Sequence, residues 1–385
     1  MLGITTNNIN KNKEMKLMYF SVFLMGFAES MIAIFVPVYL YRLNYPLWLI
    51  VIFYFLVSFC FLILSLLGAR LVSKMGIKHS IFVSTIFLIS YYLLLNCLGS
   101  SKIIFYILPI LMAIKMIFYN YGYHLNFLLH SQKSKRGQEL SVLGIANTLS
   151  GAIGPLVAGV ILVVFNFGVL FSAGTGLLII GALALFLGKE NYEPVEISIS
   201  ETLNYIKNKD NWRNFTSFMG YAIEASINRE IWPIYLIILL VSYDKMGLIV
   251  TLSFIVSILA YYLIGNLSDK YNKRKLLKVM TGLYFLGWLS RIFVNSGAKI
   301  LVVDSYRNLT EKILHIPWEA SMYDLAAREK FYLFIVVREI MFNLARIIIM
   351  PLVALVFYIN FHPFFISIIL ASLFSLLYPT LRKAE

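Results

Sequence analysis

Long apolar runs alternate with short polar links from residue 17 almost to the end of the 385-residue chain. A helix of about 20 apolar residues spans the hydrocarbon core of a bilayer, and inside lipid a chain segment must satisfy its own backbone hydrogen bonds, which makes such runs helices. The pattern predicts twelve of them, over residues 17–41, 47–68, 79–99, 102–129, 140–165, 167–188, 214–242, 246–265, 276–296, 300–327, 331–358 and 361–380. The expected fold is therefore an all-α polytopic membrane protein, with six helices in residues 1–188, a polar linker over 189–213, and six more in 214–385.

Composition agrees with this class: 60% of residues are hydrophobic and only 14% are charged, which excludes an ordinary soluble domain. Cys60 and Cys97 both fall within predicted spans, so no disulfide scaffold is indicated. Lys11, Lys13 and Lys16 lead directly into a full-length apolar run without a small-residue cleavage site, which predicts an uncleaved first helix. With the N-terminus inside, the inner segments carry 22 of the 33 lysines and arginines, whereas the outer loops carry only Arg42, Lys102, Lys245 and Lys299. This bias predicts both termini in the cytoplasm, in a prokaryotic plasma membrane. The net charge of +14 is then explained by contact of basic loops with anionic inner-leaflet lipid, and no nucleic-acid partner is expected.

Two of those basic loops are related. Laying ARLVSKMGIKH (69–79) on GNLSDKYNKRK (265–275), with Ser73 on Asp269, fixes a shift of 196 residues. The same shift pairs Pro37 with Pro233, Tyr39 with Tyr235, Lys74 with Lys270, Asn147 with Asn343 and Pro155 with Pro351. The chain reads as two tandem copies. These loops resemble the signature of the major facilitator superfamily, G-x-L-a-D-r-x-G-r-k, which links the second and third helices of each half. Gly265, Leu267, Asp269, Lys270, Lys273 and Arg274 are in step with it, and Asn272 stands where the family has its second glycine. In the first copy Ala69, Leu71, Lys74, Gly76 and Lys78 fit, but Ser73 replaces the acidic residue. The resemblance implies a twelve-helix secondary transporter working by alternating access, without a cofactor.

The linker opens irregularly at Glu190, Glu193, Pro194 and Glu196, and Ser198 with Glu201 predicts a capping box for a short helix carrying Leu203 and Ile206. The fifth span, SVLGIANTLSGAIGPLVAG, carries Ser141, Ser150, Gly154, Ala158 and Gly159 with Pro155. It is similar to the glycine-proline motif of antiporters in the superfamily, which leans toward exchange or export; close helix packing explains the same small residues.

Candidate chemistry lies in charges near the middle of spans. Glu29, Lys115, Glu224, Arg229, Glu230, Glu311, Lys312, Asn343 and Arg346 sit at that depth, where a charge costs a few kcal/mol and needs protein or water around it. The resemblance implies that helices one, four, seven and ten line a central cavity ringed by Glu29, Lys115, Arg229 or Glu230, and Glu311. Tyr119, with Asn126 and either Tyr123 or His124, continues the fourth span's face. Asp304, Arg307, Glu311, His315 and Trp318 recur at steps of three or four in the tenth span, so they share one helical face. That face predicts a cavity wall whose carboxylates and His315 take up and release protons; structural ion pairs, Asp304 with Arg307 among them, are the alternative. The seventh span's charges spread around its helix, so at most two face a cavity together. The repeat sets Lys115 opposite Glu311, which suggests a salt bridge between the halves in one state.

For gating, Glu339, Asn343 and Arg346 form a stripe in the eleventh span. The resemblance adds Asp269, Lys270 and Arg274, with Asp269 reaching the start of the fifth helix near Arg136 and Gly137. The favoured function is transport, proton-coupled, of a small anionic or zwitterionic metabolite by a monomer that interacts with membrane lipids. A drug or lipid exporter of the same fold is the nearest alternative. A membrane enzyme using His124 or His315 lacks an accompanying nucleophile or metal-ligand spacing, so neither catalytic residue nor metal site is expected. No G-x-x-x-x-G-K loop is present.

Overall fold

In the computed structural model the backbone is described for residues 20–21, 23–130, 136–186, 198–240, 242–270 and 273–382; side chains are described for the same residues except 126–130, 136–148, 185–186, 257, 259–270 and 273–275. Each expected span falls on a helical segment. The first half comprises α1 (Phe23–Arg42), α2 (Leu47–Met75), α3 (Ile77–Asn96), α4 (Lys102–His130), α5 (Arg136–Val164) and α6 (Phe167–Phe186). A linker helix, Ile199–Lys207, follows. In the second half α7 consists of Trp212–Ser226, a π-helical stretch Ile227–Ile231 and Trp232–Leu240. Then come α8 (Tyr243–Lys270), α9 (Lys273–Ser290), α10 (Gly297–Ala326), α11 (Phe331–Tyr358) and α12 (Pro363–Ser375). Among the described residues, eight helices are long and apolar enough to cross a membrane. The protein is an integral membrane protein.

Its surface is that of a bundle solvated by lipid. Ile63, Leu67, Leu183, Val302 and Leu355 are exposed, while buried positions include many charged and hydroxyl groups. This inverts the pattern of a soluble protein, because lipid gives apolar side chains no reason to hide and polar ones every reason to find partners.

The repeat is visible in local structure. Pro37 and Pro233 each lack the N–H that would bond four residues back, and each helix yields just before its proline: α1 turns at Ile34–Phe35, and α7 widens into its π-helical stretch. Two residues further on, Tyr39 donates its hydroxyl to the Leu95 carbonyl at 3.1 Å, and Tyr235 donates to the Val294 carbonyl at 3.0 Å. Each tyrosine thus fastens the first helix of its half to the end of the third.

The link between α2 and α3 turns on Gly76, whose φ of 87° suits only a residue without a side chain. This is the glycine of the first signature loop. Its counterpart Asn272 lies outside the described residues, and the side chains of Asp269, Lys270, Arg274 and Arg136 are likewise not described.

The halves meet mainly through α5 against α8 and α2 against α11. Small residues make the first contact close. A methyl on Gly159 would collide with the Tyr243 carbonyl and one on Gly247 with the Pro155 carbonyl, while one on Gly154 would meet Ser30 and the Met31 backbone of α1 within the same half. Thr251 donates to the Ala152 carbonyl across the same seam. The described small residues of the fifth span therefore have a packing role.

The linker helix begins at Ser198 as expected, but no capping box forms. Glu201 instead pairs with Lys330 at 2.8 Å, and the Tyr205 hydroxyl donates to Glu329 at 2.5 Å. Burial and that carboxylate push the Tyr205 hydroxyl above its ordinary range. The linker is thereby tied to the turn between α10 and α11. Cys60 is half-buried and Cys97, just beyond the end of α3, is exposed; both are free thiols.

Candidate functional site: a charged cavity between the halves

A cavity of about 350 Å³ lies between the halves, lined from α1, α2, α3, α4, α7, α10 and α11. Its charged lining is balanced, with Glu29, Glu230, Glu319 and Glu339 against Lys115, Arg229, Arg338 and Arg346. Around them stand Tyr54, Tyr91, Tyr119, Tyr221, Trp318 and Phe342.

Four of these eight charges are already paired. Lys115 reaches Glu29 Oε1 at 2.5 Å and stands 4.8 Å from the Tyr119 ring centroid. Arg338 Nη2 reaches Glu339 Oε1 at 2.5 Å, and the other oxygen of Glu339 accepts from Asn120 Nδ2 at 2.9 Å, across the halves. Among the described residues no ion pair joins Arg229, Glu230, Glu319 or Arg346 to a partner within 4 Å. Arg229 uses Nε on the Ala225 carbonyl at 3.3 Å, and its side chain is open to the cavity. Arg346 is buried, and its Nε has no hydrogen-bond partner.

Arg229 and Glu230 are consecutive, yet both line the cavity. They sit within the π-helical stretch of α7, whose wider i→i+5 turn departs from ordinary helical spacing. Glu224, one and a half turns earlier, points elsewhere.

The halves touch at both ends of this cavity. On the side of the linker, Tyr332 donates to the Ala69 carbonyl at 2.6 Å, and His124 Nδ1 lies 2.5 Å from the Tyr323 hydroxyl. On the opposite side Trp48 meets Tyr358 edge to face at 5.9 Å, and Arg42 lies over the Tyr243 ring at 5.3 Å.

The stripe on α10 does share a face, but most of it does not line this cavity. Glu224, Asp304, Arg307, Glu311 and His315 form a separate buried network within the second half, while Trp318 alone of the stripe reaches the cavity. Glu224 Oε1 accepts from Arg307 Nη2 at 2.8 Å and Tyr284 at 2.6 Å, and its other oxygen accepts from Tyr378 at 2.9 Å. Arg307 also donates to Glu311 at 2.9 Å. The expected pairing of Asp304 with Arg307 is replaced by one with Arg291 just after α9, which donates twice to Asp304 Oδ1 at 2.8 and 2.9 Å. Trp232 donates to the second oxygen of Asp304 at 2.9 Å, and its ring with that of Trp288 flanks the Arg291 guanidinium at 4.0 and 4.4 Å. A buried carboxylate needs such saturation to offset its desolvation.

Because the Tyr378 hydroxyl donates to Glu224, His315 Nε2, 2.8 Å away, must be the donor to Tyr378. That leaves Nδ1 as the lone-pair nitrogen, 3.8 Å from Glu311. Lys312 also stands 3.4 Å from Glu311. Lys115 and Glu311 do not meet here, since each is engaged within its own half.

Several residues of the site escaped the sequence reading. Glu319 and Arg338 adjoin Trp318 and Glu339, which were noticed, and Arg291 stands inside an apolar span; the signal for each was a charge in a transmembrane run. Asn343 is buried beside the cavity, with Nδ2 on the Glu339 carbonyl at 2.9 Å and Oδ1 unpartnered. Among the described residues no group of three or more His, Cys, Asp and Glu could hold a metal ion.

Comparison with known proteins places this geometry in a context. Residues 213–385 match the family described as the Major Facilitator Superfamily. No curated protein matches the sequence. Among solved structures, the crystal structure of the human organic anion transporter MFSD10 (TETRAN) is similar to the chain with a TM-score of 0.69 and 11% identity, over 96% of this chain and 99% of that one. At that identity the likeness speaks for the fold alone.

Proposed function

We propose that this chain, a member of the Major Facilitator Superfamily by its second half and its fold, is a proton-coupled secondary transporter of a small anionic or zwitterionic metabolite. One observation carries the reading: a cavity between two repeat-related halves retains eight charged side chains at membrane depth. Charges at that depth are costly, and they persist where a solute or ion uses them. Alternating access rocks two such halves about a central site. The contacts at the two ends, Tyr332 to Ala69 and Trp48 to Tyr358, are the groups that would part in turn.

Residues 1–188 and 214–385 would then be the moving units, with 189–213 as a surface linker and both termini in the cytoplasm, as the lysine and arginine bias supports. Within the cavity Glu29, Lys115, Tyr119, Arg229, Glu230 and Trp318 would contact the solute. The proton would be carried by the second network, where His315 Nδ1 faces Glu311: its protonation adds a charge–charge bond and loosens the hold of Glu311 on Arg307. The networks communicate through α7, which carries Glu224 on one and Arg229 with Glu230 on the other. Glu339, Asn343 and Arg346, with Asp269, Lys270, Arg274 and Arg136, would serve as gates. The fifth-span motif, which suggested export, is equally consistent with the close packing at Gly154 and Gly159.

The test is flux. Purified protein in liposomes should concentrate a labelled organic anion or zwitterion when an inward proton gradient is imposed, and collapse of the gradient should abolish accumulation. Flux without any response to the gradient would remove proton coupling. Transport confined to lipophilic cations would overturn the solute class.

A further inference from the structure

Four cavity charges have no ion-pair partner among the described residues, and two of them are cations. Arg229 on α7 and Arg346 on α11 both present guanidinium groups to it, and each lies near the middle of its helix. Arg346 is 7% exposed and its Nε is buried without a partner, a costly condition unless something accepts from it. Among the described residues Arg229 donates through Nε to the Ala225 carbonyl, and its terminal nitrogens have no hydrogen-bond partner there. Glu230 acts electrostatically on both arginines, but it does not approach either within ion-pair distance among the described residues. Tyr221 lies in electrostatic reach of both arginines and packs at a tilt on Phe342 with centroids 4.9 Å apart, so an aromatic wall adjoins the two cations. Tyr54, from the opposite half, completes the enclosure near Glu230.

We infer that Arg229 and Arg346 form a carboxylate-binding subsite, occupied by an organic acid whose apolar body lies against Tyr221, Phe342 and Tyr54, with Glu230 as the resident competitor. The inference rests on the transport reading above and names the groups that would hold the solute. Guanidinium fits the task because its planar donors grip both oxygens of a carboxylate at once. The aromatic wall supplies area that bare phosphate would not use. The other two cations, Lys115 and Arg338, are excluded because each already has a carboxylate at 2.5 Å.

The experiment measures thermal stabilisation of the purified full-length protein by benzoate, benzamide and inorganic phosphate, since a ligand of the folded state raises its apparent melting temperature. Benzoate should stabilise the protein, and benzamide and phosphate should do so far less. Arg346→Gln and Arg229→Gln should each weaken benzoate by about tenfold, the loss of one charge-assisted bond. Arg346→Lys should keep part of it. Glu230→Gln, which removes the competitor, should tighten it, whereas a merely structural glutamate would weaken every ligand alike. Equal benzoate affinity in wild type and both arginine variants would overturn the subsite and leave the transport reading standing. Phosphate binding as well as benzoate would overturn the apolar body. Absence of benzoate binding, in a preparation that transports only cations or neutral solutes, would sink both.

Discussion

Arg307 of α10 and Glu224 of α7 pair at 2.8 Å with side chains 2% and 1% exposed, inside the second half and away from the cavity. Removing one member strands the other charge in a medium that cannot solvate it. Glu224→Gln or Arg307→Gln should each destabilise the protein by about 3–5 kcal/mol. The double variant should lose less than the sum of the two, which a double-mutant cycle on thermal midpoints would measure. Simple additivity would mean that the pair is not coupled.

The matched hydroxyls of Tyr39 and Tyr235 provide a test of the repeat as a physical symmetry. Tyr39→Phe and Tyr235→Phe each delete one hydrogen bond to a backbone carbonyl. Both should cost about 1 kcal/mol, seen as similar drops in melting temperature. A large effect from one and none from the other would show that the two ties do different work.

Glycines at close helix contacts, whether within a half or between halves, should behave differently from those elsewhere. Gly154→Ala and Gly247→Ala drive a methyl into backbone and should cost about 1–3 kcal/mol by overpacking. Gly151→Ala and Gly282→Ala meet nothing within 4 Å, and should be neutral or gain up to about 1 kcal/mol of helix propensity. Melting curves of the four variants would separate the classes, and uniform behaviour would remove the packing account of the fifth span.

His315 is the group through which the proposed proton coupling is most directly examined. Its Nε2 is committed to Tyr378 and its Nδ1 faces Glu311. His315→Gln keeps a hydrogen-bonding side chain but cannot become charged, so uptake should lose its response to an imposed proton gradient. Downhill exchange should survive. A variant with an unaltered response would place the proton elsewhere.

The twelve helices were legible because apolar length is a property of the chain alone: lipid requires it whatever the neighbours are. The repeat was legible for a related reason, since prolines and glycines impose backbone consequences locally. Pro37 and Pro233 break their helices just upstream of themselves, and Gly76 turns at a positive φ. Spacing also put Asp304, Arg307, Glu311, His315 and Trp318 on one face, and they do share it.

What spacing did not contain is which neighbour that face meets. A helical period fixes direction around one axis, and two polar environments flank α10: the cavity between halves and the interior of its own half. Packing against α7, α9 and α12 decided for the second, giving Asp304 to Arg291 rather than to Arg307 one turn away. Regular spacing likewise separates Arg229 from Glu230, yet the π-helical stretch leaves both on the cavity. Lys115 takes Glu29, 86 residues away, in its own half rather than Glu311 across the axis. The sequence alone determined that charges had to be sheltered, because lipid cannot solvate them. Only the tertiary structure decided how they were shared, because each pairing depends on distances of a few ångströms between helices that are remote along the chain.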